Sequence, residues 1–124
     1  MSLFESITKA KLKDCIANDK LTFIVQEGNA AKAIGKKGVN VRMLENVIKK
    51  KIRIIEFNNN AVDFIKNLTY PIDIKDIKQE NGIVTITAED TESRGILIGR
   101  DRHNLDMMKS IVKRYFNVAD IKVN

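Results

Sequence analysis

The sequence predicts an α/β (α+β) fold of two tandem copies of one unit, each a three-stranded sheet packed on helices. Three observations predict it: a self-match at an offset of 64 residues, β-branched runs of strand length upstream of a glycine in each copy, and apolar residues at helical spacing downstream of that glycine. With the chain laid on itself, Ile34-Gly35-Lys36 falls on Ile98-Gly99-Arg100, Asn40 on Asn104, Val41 on Leu105, Leu44 on Met108, Val47 on Ile111, Ile48 on Val112 and Ile52 on Phe116. Each copy thus repeats its core pattern.

The elements follow in order. Leu21–Val25 and residues 83–87 combine β-branched and aromatic side chains and read as strands. Each follows another apolar stretch and a turn, so each is the second arm of a hairpin. Asn81-Gly82 is the strong turn signal, because a type I′ turn needs positive φ at both central positions; Asn18-Asp19 is a weaker form of it. Residues 29–34 and 92–98 suit short helices, with Asn29 and Thr91 as N-caps. After each glycine, Val41, Leu44, Ile48 and Leu105, Met108, Val112 recur at three and four residues, which makes an amphipathic helix of about three turns. Residues 52–57 and 118–123 are the last strands. Between the copies, Asn58-Asn59-Asn60 is a turn cluster with a capping residue, and Val62, Phe64, Ile65 and Leu68 support a short helix over 61–68. Pro71 ends it, since the residue before proline avoids helical angles. That helix is placed to lead the second copy, as residues 3–7 lead the first. The boundary falls at residue 59, giving a first domain over 1–59 and a second over 60–124.

The net charge is +6, and its placement says more than its size. Residues 32–53 hold eight basic side chains (Lys32, Lys36, Lys37, Arg42, Lys49, Lys50, Lys51, Arg53) against Glu45 alone, whereas residues 54–93 hold three basic and eight acidic ones. A basic cluster confined to one segment makes a local positive field that draws polyanions. A solvated helix face is the other reading of such a cluster, and the neighbouring Gly35-Lys36-Lys37-Gly38 decides between them. Its glycines allow a tight turn between two helices and leave no side chain in the way, so backbone N–H groups at the start of the next helix can face a phosphate. Lys36 and Lys37 add charge, Lys32, Asn40 and Arg42 flank the loop, and Ile34 and Val41 line an apolar groove for unstacked bases. This is the arrangement of a KH module, which clamps four nucleotides by their backbone.

The second loop, Gly99-Arg100-Asp101-Arg102, departs from the pattern. Arg102 replaces the second glycine, and Asp101 sets a carboxylate where a phosphate would approach. Arg100 and Arg102 can still pair with phosphate, but close backbone approach is impaired, so weaker RNA contacts are expected from the second domain. A helix-junction turn without ligand is the other reading of Gly99. With two tyrosines and five phenylalanines, most of them at core positions, stacking on aromatic platforms does not dominate recognition.

Composition excludes other classes. The 124 residues are 44% hydrophobic and 31% charged, the mix of a folded globular chain. No uninterrupted apolar run reaches the roughly 18 residues of a membrane span, and the first residues lack a basic and a long apolar segment, so a cytoplasmic protein without membrane association is expected. Cys15 and His103 are the single residues of their kinds, which leaves no disulfide and no metal-ligand set; Cys15 reads as a buried structural thiol. The Gly-Lys-Ser/Thr ending of a Walker-type phosphate cradle is absent. Asp73, Asp76, Glu80, Glu89, Asp90 and Glu92 lie on the second hairpin and its exits with no nucleophile beside them, a pattern of charged strand edges. Met43, Met107 and Met108 read as helix packing, and His103 as a solvent-facing helix residue. No catalytic residue, metal or cofactor is expected, and the chain is not read as an enzyme.

At the first loop the segment Ile34-Gly35-Lys36-Lys37-Gly38-Val39-Asn40-Val41-Arg42-Met43-Leu44-Glu45 resembles the KH signature of NusA-type transcription factors, and of their short archaeal members in particular. The likeness runs over nearly the whole chain, through Leu3-Phe4-Glu5-Ser6, Asp14-Cys15-Ile16, Glu56-Phe57 and Phe64-Ile65-Lys66-Asn67-Leu68. It implies type II KH topology, with the extra helix and strand on the N-terminal side of each domain. It also implies binding of the nascent transcript during elongation, termination or antitermination. Bacterial members carry an N-terminal polymerase-binding domain and an S1 domain, neither of which is read in this sequence. The expected partner is single-stranded RNA, with RNA polymerase or the ribosome as the wider assembly. The competing class is a ribosome- or polymerase-associated assembly protein that does no sequence-specific reading.

Overall fold

The computed structural model describes residues 2–17 and 21–124, which fall into two compact units, Met1–Asn58 and Asn59–Asn124. In the first, helix α1 (Ser2–Thr8) leads into strands β1 (Leu12–Ala17) and β2 (Leu21–Val25). Helix α2 (Ala30–Ile34), one 3₁₀ turn (Lys36–Gly38) and helix α3 (Val39–Ile48) then carry the chain to strand β3 (Ile52–Glu56). Strand β2 is central, antiparallel to β1 and parallel to β3. A parallel pair cannot be joined by a tight hairpin, so the crossover through α2 and α3 covers the sheet. Phe23, Val25, Ala33 and Leu44 are fully buried beneath it. Helix α1 closes the core through Phe4, whose ring stacks on Phe23 with centroids 4.4 Å apart.

The second unit repeats this order with helix α4 (Ala61–Thr69), strands β4 (Ile74–Glu80) and β5 (Ile83–Ala88), helix α5 (Thr91–Ile98), a 3₁₀ turn (Arg100–Arg102), helix α6 (His103–Tyr115) and strand β6 (Asp120–Val123). Strand β5 is again central, antiparallel to β4 and parallel to β6. The irregularity of the first hairpin between Leu12 and Asp14 recurs between Ile74 and Asp76. Phe64 of α4 is fully buried, edge-on to Tyr115 at 5.8 Å and tilted against Phe116 at 5.7 Å. The fold class read from the sequence is the one observed: two three-stranded sheets packed on helices, each preceded by a helix.

Local expectations fared unevenly. Asn81 and Gly82 turn the second hairpin with φ of 52° and 79°, the positive pair a type I′ turn demands. The turn expected at Asn18-Asp19 lies outside the described residues. Asn60 caps α4 by accepting from the Asp63 N–H at 3.1 Å. The cap of α5 is Asp90, whose Oδ1 accepts from the Ser93 N–H at 2.7 Å, and the expected Thr91 is the first helical residue. Asn29 stands at the start of α2 but does not cap it. Its Oδ1 accepts from the Lys11 N–H at 3.0 Å, while Glu56 of β3 supplies the acceptor for the Ala30 N–H at 3.2 Å. Cys15 is half-buried against the core, where burial, and then the Asp14 carboxylate, push its thiol pKa up. The third strands are shorter than expected, ending at Glu56 and starting at Asp120. Among the described residues no helix is long and apolar enough to cross a membrane, and no three His, Cys, Asp or Glu side chains converge to hold a metal ion.

Two stability predictions follow from this packing. Phe23→Ala removes the ring that α1 and the sheet share and should cost about 3–5 kcal/mol in urea unfolding; a loss under about 1 kcal/mol would contradict the stacked core. Asp90 is held below the ordinary carboxylate range by its hydrogen bonds from Ser93, and Asp120 by the Lys109 ammonium and the Ile121 N–H. Their stabilisation is full above the unfolded-state pKa and is lost as pH falls through the depressed folded values. The urea midpoint should therefore hold from neutrality to about pH 5 and drop below about pH 4. Asp90→Asn, which keeps a capping oxygen without the titration, should flatten part of that drop.

Candidate nucleic-acid interface

The first loop is set by left-handed backbone. Gly35 ends α2 at φ 80°, ψ 169°, a region populated almost only by glycine, and Gly38 precedes α3 at φ 74°, ψ 20°. Lys37 between them is also left-handed, at φ 55°, ψ 27°. The Gly38 N–H donates to the Gly35 carbonyl at 3.1 Å, so the reversal takes a single turn. Among the described residues the amide N–H groups of Lys36 and Lys37 meet no acceptor, and both side chains are exposed. These donors stand at the positive end of the ten-residue helix α3, where an anion is stabilised by amides and dipole together.

Two residues expected to flank the RNA are turned onto the loop itself. Asn40 Nδ2 donates to the Lys32 carbonyl at 3.0 Å, and its side-chain carbon would stand 2.9 Å from a Cβ placed on Gly35. Glycine is thus needed there twice, for its angles and for the asparagine lying against it. Arg42 Nη1 donates to the Lys37 carbonyl at 2.6 Å and so pins the left-handed lysine. Lys32 is exposed in the last turn of α2.

Of the pair expected to line the groove, Ile34 is 38% exposed and Val41 is half-buried. Val39, Met43 and Val47 are instead 43%, 47% and 53% exposed. Spaced four apart, they form one ridge along α3. The sequence reads Met43 as helix packing. The signal that could have placed the ridge is that α3 has apolar residues on two faces (39, 43, 47 as well as 41, 44, 48), and one core needs only one. Lys49, Lys50 and Lys51 follow the ridge, all exposed.

The second loop keeps the shape of the first and changes its chemistry. Gly99 sits at φ 75°, ψ 173°, Asp101 at φ 53°, ψ 32°, and Arg102 at φ 63°, ψ 19°, in the place of Gly38. Asn104 Nδ2 donates to the Ile96 carbonyl at 2.8 Å, and its side-chain carbon lies 2.7 Å from a Cβ built on Gly99. Arg102 thus accepts left-handed angles at a cost of about 1–2 kcal/mol. At the positions matching Lys32, Lys37 and Arg42 stand Ile96, Asp101 and Asp106. Arg100, Arg102, Asp101 and Asp106 are all exposed, so four basic groups around the first loop become two basic and two acidic ones around the second.

The glycines of the first loop should not be equivalent. Gly35→Ala must leave its backbone region and displace Asn40, for a loss of about 2–3 kcal/mol. Gly38→Ala brings a Cβ only to within 3.6 Å of Arg42 Nη1 and should lose about 1 kcal/mol. Equal losses in urea unfolding would contradict the asparagine contact.

Comparison with known proteins agrees with this geometry. A family model described as KH domain matches residues 1–81. The chain is similar to the "Probable transcription termination protein NusA" of Methanococcus vannielii, with 36% identity over 99% of this chain and 73% of that protein. It is also similar to the protein of that name from Methanocaldococcus jannaschii, with 33% identity over 99% of this chain and 69% of that protein. Among solved structures it is similar to the crystal structure of APE1850, with a TM-score of 0.76 and 27% identity over 99% of this chain and 94% of that one. The matched residues 1–81 contain the whole first unit, its glycine loop included, and with archaeal relatives alike over nearly their full overlap, the chain belongs to the KH-domain family as an archaeal NusA-like protein.

Proposed function

We propose that this chain is an RNA-binding, transcription-associated protein that clamps single-stranded RNA, the nascent transcript, at Gly35-Lys36-Lys37-Gly38 and acts in transcription elongation, termination or antitermination. The observation that carries this reading is the pair of unspent amide donors and exposed ammonium groups at Lys36 and Lys37, on a turn that its own side chains hold rigid. Donors already fixed in place lose little freedom when an anion arrives. Lys32 adds charge at the end of α2, Gly35 and Gly38 let the sugar-phosphate backbone approach, and Ile34 with the start of α3 offers apolar surface to bases. Asn40 and Arg42 act through the loop, holding its shape.

Both units, 1–59 and 60–124, are taken as KH modules, because the same angles and the same asparagine bridge recur at an offset of 64 residues. The second contributes through Arg100 and Arg102 and is the weaker, since Asp101 and Asp106 oppose a phosphate at that loop. The transcriptional role is supported by the name its relatives carry. The protein works as a cytoplasmic binding module and not as a catalyst.

Lys36→Asp/Lys37→Asp should weaken binding of a short oligouridine by roughly a hundredfold or more, since two charge-assisted contacts become repulsions. The far-UV spectrum should not change, as both side chains are exposed. Arg100→Asp/Arg102→Asp should cost about fivefold. In wild type, log Kd against log salt should rise by about 0.7 for each phosphate held. Unaltered affinity in the lysine variant, or a flat salt profile, would remove the site.

A further inference from the structure

The exposed ridge of α3 runs on from Val39 beyond the four-nucleotide clamp, through Met43 and Val47, and it has the features of a track. Resting on the reading above, we infer that the RNA strand continues past the loop along the outward face of α3, with Val39, Met43 and Val47 each beneath one base and Lys49-Lys50-Lys51 holding the phosphates at the far end. Helix α3 packs on its own unit through Leu44 and Ile48. The opposite ridge is left 43–53% exposed. An apolar line of this kind marks a surface that some partner covers.

Charge and spacing identify that partner. Lys36 and Lys37 stand at one end of the ridge and three exposed lysines at the other. The one carboxylate on α3, Glu45, is half-buried and accepts from the Ile52 N–H at 2.9 Å. A second copy of the ridge would set lysines against lysines, whereas an RNA strand brings apolar base faces and phosphates together. Four residues of helix rise about 6 Å, which places one apolar side chain under each base of a splayed strand, and ten residues span about 15 Å, room for three such bases. The far end is a built feature as well. Lys49 turns left-handed at φ 65°, its N–H donating to the Glu45 carbonyl at 2.8 Å, and the Lys51 carbonyl accepts from the Leu21 N–H at 3.0 Å, which fixes the run to the sheet. The second unit keeps basic residues there and lacks the apolar ridge: Lys113 and Arg114 match Lys49 and Lys50, but an exposed His103, a half-buried Met107 and a buried Ile111 stand in place of Val39, Met43 and Val47.

Anisotropy titrations of the full chain with a tetranucleotide and a heptanucleotide of uridine test this. Lys49→Ser/Lys50→Ser/Lys51→Ser and, separately, Met43→Ser/Val47→Ser should bind the tetranucleotide within about twofold of wild type and the heptanucleotide about tenfold more weakly. Comparing proteins on one oligonucleotide cancels the number of binding registers. The lysine variant should also lose about 0.7 in salt slope for each phosphate released, and the apolar variant should keep the wild-type slope. Equal losses on both lengths, or no loss on either, would overturn the track; unchanged binding in both variants would leave the ridge to another partner, such as an acidic protein. If wild type binds the heptanucleotide no tighter than its extra registers allow, the track fails while the loop clamp stands, and if wild type binds neither length, the clamp fails with it.

Discussion

In each unit the side-chain amide of one asparagine reaches back eight residues to a carbonyl in the preceding short helix, and the geometry of the loop depends on that bond. Helix α2 has only five residues, too few to be stable alone, and it must end where the next helix begins. Asn40 joins the two across the turn by donating to Lys32. Because its side chain lies where the Cβ of residue 35 would be, that residue must be glycine, and with glycine comes the backbone angle that turns the chain into α3. A hydrogen bond of this kind is worth about 1 kcal/mol net. Its larger effect is to make one arrangement of the loop the only one that satisfies both partners, so that the Lys36 and Lys37 amides face outward without competing partners inside the fold.

The second loop separates what this constraint requires from what function requires. Gly99 and Asn104 are kept there, and so are the angles, to within about 10° at each loop position compared. Gly38 is not kept, and Arg102 occupies its place in the same left-handed region. The first glycine and the asparagine therefore serve the shape of the turn, while the second position takes a side chain without altering that shape. Charge is the other variable. Lys37 and Arg42 give way to Asp101 and Asp106 with no change in the path of the chain. Shape is encoded in both units and a positive surface in one.

What the sequence made legible and what it hid have a common explanation. Strands and helices were readable because period and turn chemistry are local: the alternation in β5, the positive-φ pair Asn81-Gly82, and Leu44 with its neighbours at three and four residues. Caps were misread where the partner is distant or where two acceptors compete. Glu56 reaches Ala30 across 26 positions, and Asp90 wins over Thr91 because a carboxylate both accepts the hydrogen bond and complements the helix dipole. At the candidate site the loop was plain, but the direction of its polar neighbours was not. Asn40 and Arg42 look like surface contacts in a sequence, and only the folded chain shows them bound to Lys32 and Lys37 carbonyls. Met43 reads as packing by its residue type, and only the folded chain shows it 47% exposed, off the face that the 41, 44, 48 spacing marks for the core.

The exposure of Met43 bears on why the outer face of α3 is apolar. Folding does not ask for it: Arg42 and Asn46 are exposed on the same helix and show that polar side chains are accommodated there. Nor does propensity, because valine at 39 and 47 is a poorer helix former than the lysine, glutamate or glutamine that would also favour solubility. An exposed ridge of Val39, Met43 and Val47 therefore gives the isolated unit nothing and leaves apolar area in water that a partner would remove, at about 25 cal/mol for each Å² covered. The core is already complete on the other side, with Leu44 fully buried. The ridge is thus explained by what lies on it when the protein works, and its position between two lysine clusters, one at each end of α3, requires that this partner carry negative charge at both ends and apolar surface between.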